Sequence, residues 1–164
     1  GEIALGQGQP DLALGAADAA IASASEQRNL GNELAARLLR TRALMSLKRT
    51  PEALQELNTV RKGRARYASV PFRLLLAETE LEVDIASKTA TYQEARALLA
   101  RLPDYGRAFR IHALAAQEPS ATSSDQPLKD ARDSLARLQQ QTPPEQQASL
   151  ERLARSLGLG DGAP

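Results

Sequence analysis

Apolar residues recur along the chain at helical spacing, in runs that are separated by prolines. A proline lacks the backbone N–H that a helix interior needs, so it starts or follows a helix rather than lying inside one. The runs therefore predict eight helices joined by short connections. Their expected bounds are 10–27, 30–48, 51–65, 71–88, 91–102, 105–117, 127–141 and 144–157.

Local signals at helix starts agree with this pattern. Thr50 precedes Pro51 and is expected to cap the helix that follows, and Ser124 or Asp125 is expected to cap the helix near Pro127. Val, Ile, Thr and aromatic residues never cluster into an alternating run of strand length, which argues against a substantial sheet. The predicted fold class is all-α.

A short pattern repeats in four of the predicted helices. Each has an alanine followed by apolar residues four and seven positions later, and these three residues lie along one helix face. The sets are Ala13, Ala17 and Ala20; Ala53, Leu57 and Val60; Ala95, Leu99 and Leu102; and Ala131, Leu135 and Leu138. The four leading residues, here called the anchor alanines, are 40, 42 and 36 residues apart. That spacing is typical of an array of helix pairs.

The stretch ALMSLKRTPEALQEL, residues 43–57, resembles the centre of a tetratricopeptide repeat, in which a short polar turn is followed by a helix that opens with an acid and an alanine. The pairs that match are Glu52-Ala53, Glu94-Ala95 and Asp130-Ala131. The resemblance is closest to the longer tetratricopeptide-like repeats of bacterial signalling proteins, such as large transcriptional activators and certain protein kinases. It implies a right-handed superhelix of antiparallel helix pairs, an α-solenoid, whose concave face binds a partner.

The predicted organisation is one helical repeat domain over 1–157 and a disordered tail over 158–164. The last helix, 144–157, is amphipathic and is expected to cap the end of the array. The sequence starts at Gly1 without a methionine. We therefore expect an internal cut point and a domain that is truncated on its N-terminal side.

Charge and composition limit the classes of partner that the chain is expected to bind. The 21 basic and 20 acidic residues give a net charge of +1, so no global field favours nucleic acid or an anionic membrane. No apolar stretch approaches the roughly 20 residues of a spanning helix, and no membrane association is expected. The chain has no cysteine, which suits the cytoplasm and leaves the periplasm open. Oligomeric state is not predicted.

Candidate chemistry is sparse. The one histidine is His112, which we interpret as a partly buried or surface helix residue. The sequence has no metal-binding, phosphate-loop or nucleophile-elbow motif. We therefore predict no catalytic residues, no metal and no cofactor.

Charged residues on the first helix of each predicted pair are the candidate partner-binding set. They are Glu33, Arg37 and Arg40, then Arg73, Glu80 and Asp84, then Arg107 and Arg110. If these stripes face the concavity, they form a mixed-charge groove for an extended or helical peptide; the alternative is a row of exposed ion pairs. Reversal of Arg37 and Arg40 to Glu is expected to weaken partner capture without lowering the melting temperature.

Two further charged stretches have both a structural and a functional interpretation. Glu80 and Asp84 share a helix face that could hold a cation or a basic peptide, although a solvated surface is the simpler interpretation. A basic patch surrounds Gly63, where cations complement a helix C-terminus and could also bind an acidic partner or an anion such as phosphate or nucleic acid. The patch consists of Arg61, Lys62, Arg64 and Arg66.

Together these patterns predict a non-catalytic scaffold that binds a protein, a peptide or another domain of its parent chain. We expect it to be the C-terminal sensor or docking module of a larger bacterial signalling or regulatory protein. The alternative is a regulatory domain that senses a small molecule.

Overall fold

The computed structural model describes residues 1–66, 69–83, 88–102, 104–117 and 126–159, and every regular element within these ranges is a helix. The α-helices are α1 (Glu2–Gly6), α2 (Pro10–Glu26), α3 (Leu30–Ser46), α4 (Thr50–Gly63), α5 (Val70–Val83), α6 (Lys88–Leu99), α7 (Tyr105–Ala116), α8 (Gln126–Gln141) and α9 (Pro144–Ser156). A 3-10 turn over Arg64–Arg66 follows α4. The predicted all-α class is confirmed for the described residues.

The chain divides into two compact units. Unit 1 is Gly1–Ile85 and contains α1 to α5, and unit 2 is Ala86–Pro164 and contains α6 to α9. The prediction of one repeat domain over 1–157 stays a prediction.

The eight predicted helices correspond to α2 through α9, with ends that differ by a few residues. Pro10 and Pro144 are the first residues of their helices, where the missing N–H costs no intrahelical bond. The short helix α1 was not predicted. The predicted Thr50 cap is wrong, because Thr50 is the first residue of α4 and Arg49 occupies the cap position.

Helix caps were only partly visible in the sequence. Asn29 caps α3, and its side-chain oxygen accepts from the Asn32 N–H at 3.1 Å. Asp104 caps α7 in the same way, accepting from the Arg107 N–H at 2.9 Å. Both satisfy backbone donors that the first helical turn leaves open. The predicted caps Ser124 and Asp125 lie outside the described residues.

Three consecutive turns of unit 1 share one geometry. Gly8, Arg28 and Lys48 have positive φ values of 70°, 53° and 59°. After each, the next N–H bonds back to a carbonyl five residues earlier, at 2.8 to 2.9 Å, which closes the preceding helix in a Schellman motif. Because these residues are 20 positions apart, helix and turn together repeat every 20 residues from Gly8 to Lys48.

The core of unit 1 lies around α3, which contacts α2, α4 and α5. One cluster joins leucines of α3 to apolar residues of α4 and α5; its buried members are Leu34, Leu38, Leu57, Val60, Phe72 and Leu76. The side chains from different helices exclude water from each other, which is the main source of stability for helices of this length.

Among the described residues of unit 2, one core cluster joins three helices. Phe109 and Ala113 of α7 pack with Ala131 of α8 and Ala154 of α9. Helix α9 buries its apolar side and exposes its charged side, as the sequence predicts. At its end Gly158 has φ +78°, and the Leu159 N–H bonds to the Ala154 carbonyl at 2.9 Å. Of the tail predicted over 158–164, these two residues close α9 and the rest lies outside the described part of the chain.

The anchor alanines share one degree of burial. All four have 0% of their surface exposed. The third position of the pattern is exposed in two of the four sets. Ala20 is exposed because the buried stripe of α2 continues at Ala24, and Leu102 is 37% exposed because α6 ends three residues before it.

Candidate functional site

A chain of ion pairs links α2, α3 and α4 of unit 1; we call its members, Asp18, Glu33, Arg37, Arg40 and Glu56, the α3 network. Arg37 donates to Glu33 at 3.0 Å and to Glu56 at 2.6 Å. Arg40 donates to the other oxygen of Glu56 and to Asp18, both at 2.7 Å. Glu56, only 10% exposed, is thus held between two guanidiniums.

The ion-pair partners in the α3 network keep Arg37 and Arg40 charged. Burial opposes the charge of Arg37, but its hydrogen bonds to Glu56 and Glu33 outweigh this and raise the pKa of Arg37 above its ordinary value. The hydrogen bond to Asp18 raises the pKa of Arg40 above its ordinary value despite partial burial. Both arginines are therefore charged and are held in defined positions.

The predicted stripe of Glu33, Arg37 and Arg40 is thus present, but two further acids belong to it. Sequence reasoning missed Asp18 and Glu56 because they come from neighbouring helices. Reversal of both arginines to Glu would add two carboxylates beside Glu56. Contrary to the expectation from sequence, we expect that change to lower the melting temperature.

A second charged cluster lies around Arg42, whose side chain is 5% exposed. Its guanidinium contacts Glu82 of α5 at 2.8 Å, Glu2 of α1 at 2.9 Å and Glu78 of α5 at 3.9 Å. Burial opposes the charge, but the carboxylates of Glu82, Glu2 and Glu78 outweigh it and raise the pKa of Arg42 above its ordinary value. The cluster fastens α1 and α5 to α3.

The predicted site residues of α5 are engaged in part within unit 1. Glu80 is almost fully buried and accepts from the Arg61 Nε at 2.7 Å. Arg73 is half-buried, and Asp84 lies outside the described residues. The pairing of Glu80 with Asp84 as an acidic spot stays a prediction.

The basic patch is divided by that same bond. Arg61 turns toward Glu80, whereas Lys62 and Arg66 are exposed and Arg64 is half-buried. Gly63, at the end of α4, lies close to α3, since a Cβ there would meet Leu34 Cδ2 at 2.7 Å. The patch therefore supplies exposed cations at the end of a tightly packed helix.

The remaining predicted residues, Arg107 and Arg110, lie on α7 in unit 2. The Arg107 Nε is 3.7 Å from Asp104 Oδ2, and Arg110 is half-buried. A groove that would continue from the α3 stripe to these residues stays a prediction.

The one histidine is buried in unit 2, where it belongs to a polar network. The Tyr92 hydroxyl lies 3.1 Å from His112 Nδ1 and 3.1 Å from Asp130 Oδ2. The Asp130 carboxylate also forms an ion pair with Arg96 Nε at 3.0 Å and accepts a hydrogen bond from Gln126 Nε2 at 2.6 Å. Burial raises the pKa of Tyr92, with Asp130 adding to the effect. Burial also lowers the pKa of His112, which is therefore neutral at pH 7.

The proton positions in this network follow from its acceptors. A carboxylate can only accept, so the Tyr92 hydroxyl donates to Asp130. His112 Nδ1 must then carry a hydrogen that it donates to the Tyr92 oxygen, and Nε2 is left as an acceptor. The histidine tautomer is assigned here from the hydrogen bonds.

A cavity of about 250 Å³ adjoins this network; we call it the α8 cavity. Its lining combines apolar side chains with both signs of charge. The residues are Arg96, Leu99, Ala100, Tyr105, Ala108, His112, Asp130, Asp133, Ser134 and Arg137. None was predicted as part of a binding site, since they come from α6, α7, α8 and the loop after α6 and converge only in the fold.

Two classes of site find no support in the part of the chain that the structure describes. No group of three or more His, Asp or Glu side chains there could hold a metal ion. None of the described helices has both the length and the apolar character needed to cross a membrane.

Comparison of the chain with protein family models, with curated proteins and with solved structures finds no match.

Proposed function

We propose that this chain is a non-catalytic helical-repeat scaffold that binds a protein or a peptide. The tetratricopeptide-like pattern of the sequence supports a repeat array, as do the turns of unit 1 at a 20-residue step. Four fully buried anchor alanines at matching positions add to this support. The right-handed superhelix of antiparallel pairs is part of the proposal.

The observation that carries the proposal is the α3 network. Its two guanidiniums and three carboxylates are tied to one another by short hydrogen bonds, yet Arg37 and Arg40 keep about a quarter of their side chains exposed, at 24% and 27%. Charges that are already held in place lose little conformational entropy when a partner binds. Such a surface suits a peptide that carries both signs of charge.

The cellular setting is proposed by resemblance alone. We place the chain in the cytoplasm, as a sensor or docking module of a larger bacterial signalling or regulatory protein, where its partner could be another domain of the parent chain. Reading the parent gene upstream of Gly1 tests this. A kinase, a nucleotide-dependent switch or a DNA-binding domain in the same frame would agree, and a short leader alone would not.

The binding function is tested by selecting random peptides on the immobilised chain and measuring the affinities by isothermal titration calorimetry. The test variant is Asp18→Asn with Glu33→Gln, because it removes the two outer carboxylates and leaves both arginines bonded to Glu56. Glu145→Gln with Glu151→Gln on the exposed side of α9 is the matched control. The proposal predicts several-fold weaker binding for the first variant only. Equal binding by both variants would reject the α3 network as the site.

A second candidate function is favoured by a separate observation, the α8 cavity. A concave site with a few convergent polar groups is the usual form of a small-ligand site. The chain would then sense a small molecule and pass the signal to its parent. A saturable rise of the melting temperature with a specific metabolite would support this function, and a flat response across a broad metabolite set would reject it.

A further inference from the structure

Some of the charged side chains that line the α8 cavity are paired with each other, and others are not. Arg96 and Asp130 form an ion pair at 3.0 Å, so they largely neutralise each other. Asp133 and Arg137 are not paired in this way. Among the described residues, the Asp133 carboxylate forms no ion pair and the Arg137 guanidinium contacts no carboxylate. The cavity therefore presents one negative and one positive group that remain available to a ligand.

Asp133 and Arg137 are four residues apart on α8. Residues at this spacing lie one turn apart on the same helix face, and an aspartate and an arginine there commonly pair with each other. Here the arginine is turned to Tyr105 instead. Its guanidinium carbon lies 5.6 Å from the Tyr105 ring centroid, and Nη1 is 3.4 Å from the hydroxyl.

This stacking orients Arg137 without using up its donors. A guanidinium has five N–H donors, and the Tyr105 hydroxyl takes one of them. The remaining edge can hold a carboxylate with two parallel hydrogen bonds. Asp133, one turn earlier, can accept hydrogen bonds from an ammonium group. The distance along α8 is about 6 Å, which a molecule of amino-acid size can bridge.

Other groups of the cavity fit the same ligand. His112 offers the neutral Nε2 as an acceptor, because its Nδ1 hydrogen is used by Tyr92. Leu99, Ala100 and Ala108 supply apolar surface for a short side chain. The volume of about 250 Å³ is just below the usual range of ligand pockets, about 300 to 1,000 Å³.

We propose that the α8 cavity binds a small zwitterion of the α-amino acid class, with its ammonium group on Asp133 and its carboxylate on Arg137. A ligand with both charges leaves neither side chain unpaired, whereas a simple anion or cation satisfies only one. The inference rests on the second proposed function, small-molecule sensing, and is independent of peptide binding at the α3 network.

The test is a thermal-shift screen of the whole chain against the common free α-amino acids, followed by calorimetry. Each amino acid that binds is compared with its amide, which lacks the carboxylate, and with its N-acetyl derivative, which lacks the ammonium. Loss of one charged contact is expected to weaken binding about tenfold or more. Equal affinities of the blocked forms would overturn the proposal, as would the absence of amino-acid binding.

Two variants assign the charges to their partners. In Asp133→Asn the difference between the amino acid and its N-acetyl form should vanish, and in Arg137→Gln the difference between the amino acid and its amide should vanish. Arg132→Gln, an exposed neighbour on α8 outside the cavity, is the matched control and should keep both differences. Differences that persist in the two test variants would place the ligand elsewhere and overturn the proposal.

A steric variant separates this proposal from the broader function. Ala100 is exposed at the cavity wall, so Ala100→Leu should block the ligand without disturbing the core. If a metabolite without both charges binds the wild type and not Ala100→Leu, the zwitterion class is wrong and small-molecule sensing stands. If no metabolite binds, both fail.

Discussion

Arg42 of α3 donates from Nε to Glu82 Oε2 of α5 at 2.8 Å, across 40 residues of sequence. The arginine is buried and also contacts Glu2 and Glu78. A guanidinium that reaches carboxylates on two other helices fixes their positions more sharply than apolar contacts do, because hydrogen bonds are directional.

Replacement of Arg42 by Met is expected to lower the free energy of unfolding by about 3 kcal/mol, because it removes a buried guanidinium that contacts three carboxylates. Urea denaturation gives the value from the shift in midpoint at constant slope. The control is Arg49→Met, because Arg49 is exposed and pairs locally with Glu52, three residues later on the chain. The control should hardly move the midpoint. Similar decreases in the free energy of unfolding for both variants would contradict the prediction that the buried ion pairs of Arg42 contribute more stability than an exposed pair.

The α3 network predicts a coupling between Arg40 and Glu56. The two side chains are bonded at 2.7 Å and are largely buried, so a double-mutant cycle of Arg40→Gln and Glu56→Gln should give an interaction energy of about 1 kcal/mol. Raised salt should reduce it only partly, because partial burial limits screening. If the changes in unfolding free energy of the two substitutions simply add, the predicted coupling between Arg40 and Glu56 is wrong.

Stability should depend on pH through His112. Burial lowers the pKa of this residue below 6.5, against a smaller opposite effect of Asp130 and with a further lowering by Arg96. Between the lowered pKa of the folded chain and 6.5, the unfolded chain binds a proton that the folded chain does not, so stability falls as the pH falls. Above 6.5 both forms are neutral and this dependence disappears.

Urea unfolding of the wild type and of His112→Gln between about pH 5.5 and 7.5 measures this effect. Since His112 is the one histidine in the chain, the variant should lose the slope in this window and keep that of the carboxylates at lower pH. An unchanged slope in His112→Gln would assign the dependence to another group.

The turn at Lys48 holds a non-glycine residue at φ 59°. The left-handed region costs an L-residue about 1 kcal/mol, so Lys48→Gly should stabilise the chain by about that amount. Gln55→Gly, an exposed interior position of α4, should destabilise it by a similar amount. Melting temperatures that move in the same direction for both variants would contradict the Schellman geometry.

The sequence predicts the helices of this chain better than their contacts. Apolar spacing and prolines locate α2 to α9 because both depend on local backbone chemistry. Positive φ at Arg28 and Lys48 escapes prediction because glycine, the usual signal, is absent there. The partners of Arg37 and Arg42, and the α8 cavity, depend on which helices become neighbours. The sequence of one chain does not show which helices become neighbours.

The anchor alanines set a limit on how this chain can vary over evolutionary time. Ala13, Ala53, Ala95 and Ala131 have no exposed surface, so a larger side chain at any of them would push two helices apart. Surface residues around them are not under this steric limit. A divergent descendant would thus keep small side chains at these intervals after most identities were lost, and a search for that spacing should detect it.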